Sequence, residues 1–192
     1  GVVVAMIRTA HDQQRLGRRN PFLGVVNFLC KIYVTIIRGT PMMVQLLIMG
    51  LVIFASNRNK NMIGALSLGI NSGAYVAEIV RAGINAVNIG QTEAGRSLGL
   101  TGGMTMRYIV LPQAIKNILP ALANEAITLL KETAIVGYAA QQDITYVATL
   151  IRSRTYSPVP LLFIALVYLI LVLLMTYGTR KLERRLARSD RS

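Results

Sequence analysis

The chain has 192 residues, 53% of them hydrophobic, with 21 Lys and Arg against 8 Asp and Glu and a net charge of +13. Mean hydropathy is +0.50, more apolar surface than a soluble domain of this length needs, and the excess sits in long blocks, which points to the bilayer as solvent. A single cysteine, Cys30, and a single histidine, His11, exclude a disulfide framework or a metal cluster built within the chain.

Gly1–Ile7 reads as the tail of an apolar segment, so the native protein is expected to begin earlier; no cleavable signal peptide is visible. Arg8–Asn20 is polar and basic and reads as a loop. Phe22–Ala55 is a long apolar stretch interrupted at Arg38-Gly39-Thr40-Pro41. Each half is about 22 Å of helix, short of a ~30 Å hydrocarbon core. One long, kinked or tilted helix is expected instead, with Thr40 capping its second half and Pro41 in that half's first turn. Cys30 and Met42-Met43 read as packing.

Ser56–Asn61 is a polar turn, and Met62–Gly83 is the next span. Gly69, Gly73 and Ala77 recur every four residues, a small-residue face suited to close packing in a membrane. Asn71, Tyr75, Glu78 and Arg81 give the same helix one polar side. Asn85–Tyr108 is too polar and glycine-rich to span and reads as a loop with a short helix. Ile109–Tyr138 returns to the membrane but carries Pro112, Pro120, Glu125, Lys131 and Glu132, so it cannot face lipid all round. Gln141–Ser157 is polar, Pro158–Tyr177 is the cleanest span, and residues 180–192 form a basic tail. Parity puts the Arg8–Asn20 loop, the Asn85–Tyr108 loop and the tail on one side, and the basic excess makes that side the cytoplasm.

Within the large loop, Glu93-Ala94-Gly95 is followed after three residues by Gly99, and after nine more by Ile109-x-Leu111-Pro112. Glu93 is expected near the start of a short helix, where a carboxylate is favoured. Ala94 and Leu98 form a small apolar face, and Gly99 permits the positive φ that ends the helix. Gly95 lowers helix propensity by about 1 kcal/mol. This spacing resembles the EAA signature of bacterial ABC-importer permeases, from which Gly95 is the one departure, the third position being commonly Ala. Further matches are Arg38-Gly39-Thr40-Pro41 with Val44-Gln45, Tyr75-x-x-Glu78-x-x-Arg81-x-Gly83-Ile84, Gly90-Gln91-x-Glu93, Leu111-Pro112-Gln113-Ala114 and Leu130-Lys131-Glu132-Thr133. From about Phe22 to Tyr177 the chain looks like a permease of the polar amino-acid uptake family.

The resemblance implies an all-α integral membrane fold, the transmembrane domain of a type I ABC importer. It would have about five spans, the first truncated here, and a coupling helix in a cytoplasmic loop over residues 88–112. The whole of 1–192 would be a single permease domain. Glu93, Ala94, Gly95, Leu98, Gly99 and Leu100 would contact a dimer of ATP-binding subunits. ATP and Mg would be bound there and not by this chain, which has no Walker A sequence. The other implied partners are a second copy or sister permease, an extracytoplasmic amino-acid-binding protein and membrane lipid, with no nucleic acid. The location would be the bacterial inner membrane, with the C-terminus cytoplasmic.

Ionisable residues inside spans face cavities or partners. Glu78 and Arg81, three apart, form either a structural ion pair or part of a gate or cavity lining. Arg38 either snorkels to a carbonyl or meets a substrate carboxylate or the partner subunit. Glu125, Thr128 and Glu132 share a helical face. Glu132 and Asp143 are candidates for a substrate's cationic group, and Asn71 and Tyr75 for bonding its α-carboxylate or shaping the pocket. Clustered nucleophile, base or metal ligands are missing, which argues against an enzyme. A membrane scaffold whose basic tail binds lipid or nucleic acid would fit the tail alone and leave the Glu93–Pro112 spacing unexplained.

Overall fold

The computed structural model describes residues 1–14, 20–57, 59–137 and 143–188. They form nine α-helices, two of them extended by a π-helical turn, and no strand occurs among the described residues. Three helices are long and apolar enough to cross a membrane: α2 (Pro21–Gly39), α4 (Lys60–Asn85) and α9 (Val159–Arg188). α7 (Leu111–Val136) matches α4 in length at 26 residues, but it carries Lys116, Glu125, Lys131 and Glu132. It packs most extensively on α4 and also meets α9.

The first helix, α1 (Val2–Gln13), runs past the apolar remnant and takes in Arg8, His11 and Asp12. The expected loop over Arg8–Asn20 is therefore helical as far as Gln13, and Arg15–Arg19 lie outside the described residues. Side-chain partners explain the extension: Arg8 and Asp12, one turn apart, reach α4, and Asn27 Nδ2 on α2 lies 3.1 Å from His11 Nδ1.

The apolar stretch Phe22–Ala55 is two helices rather than one kinked helix. α2 ends at Gly39, and α3 (Met42–Ile48) continues as a π-turn to Ile53. Pro41 has no N–H to donate and disfavours helical geometry at the residue before it; Thr40 is extended, with φ −119° and ψ 143°. Thr40 therefore closes the first helix instead of capping the second, its hydroxyl donating to Ile36 O at 2.9 Å. Pro41 takes the N-cap position of α3. The exposed carbonyls at this break are met by Gln45. Its Nε2 donates to Ile37 O at 2.7 Å, to Thr40 Oγ1 at 2.8 Å and to Thr40 O at 3.0 Å.

Asn59 caps α4 by accepting from Met62 N at 3.1 Å; Arg58 lies outside the described residues. The small-residue face of α4 is used in part. Ala77 is fully buried with Ala5, Val34 and Ala74, where α1, α2 and α4 meet. At Gly73 a Cβ would press on the Tyr33 hydroxyl, which donates to Ile70 O at 2.6 Å. Gly69 is exposed, and a Cβ built there meets nothing within 4 Å among the described residues. Gly83, further along, fits against Ile118 of α7.

The expected polar segment Gln141–Ser157 contains a helix, α8 (Ile144–Thr155), capped by Asp143; Tyr138–Gln142 lie outside the described residues. α8 ends at Tyr156 in the left-handed region, φ 52°, and the chain folds back into α9. α9 has 30 residues and runs on through Arg180–Arg188, so that the first part of the basic tail continues the span as helix.

Candidate coupling knob and translocation-path residues

The loop between α4 and α7 folds as a short helix standing on a long one. α5 (Ile89–Ser97) is capped by Asn88, whose side chain accepts from Gly90 N at 2.8 Å. Gly99 has φ +82°, a region that favours glycine because other residues bring Cβ against the carbonyl. Its N–H donates to Arg96 O at 3.0 Å, and Leu100 N donates to Gly95 O at 3.1 Å. These two bonds make a Schellman closure, which satisfies the carbonyls that a helix end leaves open. After Thr101, α6 (Gly102–Thr105), a π-turn over Met106–Val110 and α7 follow without a break. Pro112 lacks the N–H that Tyr108 O would receive in an α-helix, and the widened turn lies directly before it.

Glu93 is the fifth residue of α5, and the first turn holds no acidic residue. The expected helix-terminus role of its carboxylate therefore does not apply, because α5 starts four residues earlier, at Ile89, after the Asn88 cap. Glu93, Ala94, Leu98 and Gly99 are exposed, and Leu98 is 80% exposed at the tip. Leu100 is half-buried and Gly95 is buried. A Cβ on Gly95 would lie 2.8 Å from both Thr105 Cγ2 and Ile109 Cδ1. Gly95 thus serves close packing, letting α5 rest on the rod, and its low helix propensity is incidental. Gln113 Nε2 reaches Gln91 Oε1 at 3.4 Å and adds a second tie.

Among the polar positions within spans, Glu78 and Arg81 do pair, in a network that also includes α1. Glu78 Oε2 accepts from Arg8 Nη1 at 2.8 Å, Arg81 Nη2 donates to Glu78 Oε1, and Arg81 Nη1 lies 3.5 Å from Asp12 Oδ2. Arg8 and Asp12 were hidden from sequence reasoning inside an apparent loop; their i, i+4 spacing was the available signal.

Arg38, exposed at the end of α2, sits over the Tyr75 ring at 5.2 Å from its centroid, a cation–π arrangement. Asn71 is only 3% exposed, and its Nδ2 donates to Gln45 Oε1 at 3.0 Å. Three acceptors fix which way the Gln45 amide points, and that fixes Asn71 in turn. Asn71 Oδ1 is left buried without a partner among the described residues. Gln45, missed as a site residue, is the hinge of this cluster.

Glu132 and Asp143 sit apart from that cluster. Glu132 is half-buried on α7 and makes no hydrogen bond among the described residues. Glu125 is half-buried too, while Thr128 is exposed and turns its hydroxyl to Asn124 O at 3.2 Å. Asp143 Oδ1 caps α8 by accepting from Tyr146 N at 2.7 Å, and Oδ2 is buried with no partner among the described residues. Asp143 also borders an apolar groove of about 690 Å³ between α8 and α9, with Val147, Ile151 and Phe163 among its walls.

Long apolar helices, a charged α7 and a compact knob fused to it define a polytopic membrane protein. The model of the family described as binding-protein-dependent transport system inner membrane component matches residues 17–188. The chain belongs to that family. It is 40% identical over 183 residues to the "Putative glutamine transport system permease protein GlnP" of Rickettsia bellii, covering 85% of this chain and 83% of that protein. It is 40% identical over 184 residues to the arginine transport system permease protein ArtQ of Bacillus subtilis, covering 88% and 84%. A crystal structure of an amino acid ABC transporter with histidines superposes with a TM-score of 0.83 at 43% identity, over 96% of this chain and 84% of that one. The MetNI methionine ABC transporter in an inward-facing conformation shares the fold, with a TM-score of 0.77 at 18% identity. The chain is thus a multi-pass inner-membrane permease subunit with the transmembrane fold of an ABC importer.

Proposed function

We propose that this permease carries a polar or basic amino acid into the cytoplasm by alternating access, driven by a pair of separate ATP-binding subunits. The observation that carries the reading is α5: an exposed knob with a closed end, seated through Gly95 on a helix that runs unbroken from Gly102 to Val136. A push on Leu98 is delivered to α7 without crossing a flexible joint. ATP and Mg belong to the ATPase partners, and residues 88–112 form the cytoplasmic coupling loop. Residues 1–192 act as one permease domain, with the C-terminus and the basic segment 180–192 also cytoplasmic. A second permease, identical or sister, completes the pathway, and a loaded extracytoplasmic binding protein docks at the opposite face. The relatives' named substrates, arginine and glutamine, support the amino-acid class. Asp143 Oδ2 and Glu132, neither hydrogen-bonded among the described residues, suit a cationic or amino group. A scaffold role leaves the knob without a purpose.

The test is ATPase turnover of the complex reconstituted in nanodiscs with its neighbouring ATPase and a loaded binding protein. Wild type is expected to show stimulated turnover, and Gly99→Asp a weakened response or failed assembly. An ATPase that never associates, or a variant that responds like wild type, would overturn the proposal.

A further inference from the structure

The uncharged run Val159–Thr179 of α9 is about 31 Å of helix, matching a hydrocarbon core of about 30 Å. Charge begins at once after it, and it is arranged. At about 100° per residue, Tyr177, Arg180, Lys181, Arg184 and Arg185 fall within one arc of about 140°. Tyr177 is 70% exposed, and Arg180, Lys181, Arg184 and Arg185 are all exposed. None of those four cations makes an ion pair among the described residues. The opposite side of the same turns is engaged with protein: Thr179 is 8% exposed, and Leu182 and Leu186 are half-buried. The basic stripe therefore faces away from the packed side of the helix.

We infer that this face, Tyr177 to Arg185, is a docking surface for the headgroups of anionic phospholipid. Three features favour lipid. The stripe continues a membrane span without a break in the helix. Arg180 to Arg185 spans about 8 Å, about the depth of one leaflet's headgroup layer. Tyr177 stands at the boundary, where an amphipathic ring is favoured. Each cation near such a surface contributes to retention, and neutralising two of them lowers anionic lipid binding by about tenfold or more. The inference rests on α9 crossing the membrane and is independent of the solute carried.

The test counts lipids that stay with the purified chain, by native mass spectrometry from equimolar phosphatidylglycerol and phosphatidylcholine. Wild type is expected to retain phosphatidylglycerol in excess, and Arg184→Gln/Arg185→Gln to lose that excess. Arg184→Lys/Arg185→Lys keeps it and shows that the fold is intact. Arg152→Gln/Arg154→Gln, which removes the same charge from the last turn of α8, also keeps it. Loss of the excess in that control to the same degree would reduce the effect to net charge and overturn the inference. Equal retention by wild type and Arg184→Gln/Arg185→Gln would overturn it too. If wild type shows no lipid preference while Arg184→Gln/Arg185→Gln loses a co-purifying ATPase or a bound duplex oligonucleotide, the face belongs to that partner and the lipid assignment falls.

Discussion

Arg8 Nη1 lies 2.8 Å from Glu78 Oε2 across 70 positions of sequence, and Arg81 holds the other oxygen of the same carboxylate. One half-buried acid thus ties the end of α1 to the end of α4. Charges at such a depth are stable only when paired, because the apolar surroundings do not solvate them. Glu78→Gln removes the shared partner of two guanidinium groups. It is expected to destabilise the α1–α4 junction by about 1–3 kcal/mol, more than Arg81→Gln, which leaves the Arg8–Glu78 pair in place. Thermal unfolding of the chain in nanodiscs measures both. Equal melting of the two variants would show that Arg8 contributes nothing.

Gly99 at φ +82° sets a rank order. Gly99→Asn is expected to be tolerated best, because asparagine enters the left-handed region most readily after glycine. Gly99→Ala costs about 1–2 kcal/mol, and Gly99→Val costs more. Substrate-stimulated ATPase turnover of the assembled complex is expected to follow the same order. Space is not the limit, since no atom lies within 4 Å of a Cβ built there.

Gly95 tests the opposite cause. Alanine is the better helix former, yet its methyl meets Thr105, which is fully buried. Overpacking of this kind costs about 1–3 kcal/mol, outweighing the ~1 kcal/mol of helix propensity gained. Gly95→Ala is expected to weaken coupling, and Gly95→Ala/Thr105→Ser/Ile109→Val, which deletes both colliding methyls, to restore it. Gly103→Ala, in open space, is the neutral comparison. Stimulated ATPase turnover again reports the outcome.

Asp143 has two separable jobs. Asparagine caps a helix about as well as aspartate, whereas alanine loses about 1 kcal/mol. Asp143→Asn is expected to keep thermal stability while reducing uptake of a cationic amino acid; Asp143→Ala lowers both. Uptake by Asp143→Asn equal to wild type would confine Asp143 to capping α8.

Gln45 joins three acceptors at the α2–α3 break to Asn71. Gln45→Leu leaves Ile37 O and the buried Asn71 amide unsatisfied, at about 1–3 kcal/mol for each group buried without a partner. A drop in melting temperature larger than that of Asn27→Leu, which gives up a single hydrogen bond among the described residues, to His11, is the expected result.

Much of the architecture was legible in the chain itself. Apolar runs of membrane length, the charge on α7 and the spacing from Glu93 to Pro112 are local properties, written in residue order and governed by helix pitch and lipid thickness. The left-handed turn at Gly99 was readable because glycine is the residue that adopts it cheaply.

What the sequence could not decide depends on partners far along the chain. Arg8 and Asp12 looked like loop residues because a charge at a span's end is normally solvated; Glu78 and Arg81, which retain them in helix, lie about seventy residues away. Gly95 looked like a weak helix position because Thr105 and Ile109, which leave no room for a methyl, are brought there only by the turn at Gly99. Gly69 and Gly73 are indistinguishable by spacing, yet only Gly73 faces Tyr33. Composition and period determined which segments enter the membrane. Tertiary structure alone decided which of their small and polar residues are used, because a close approach or a satisfied charge belongs to two segments at once.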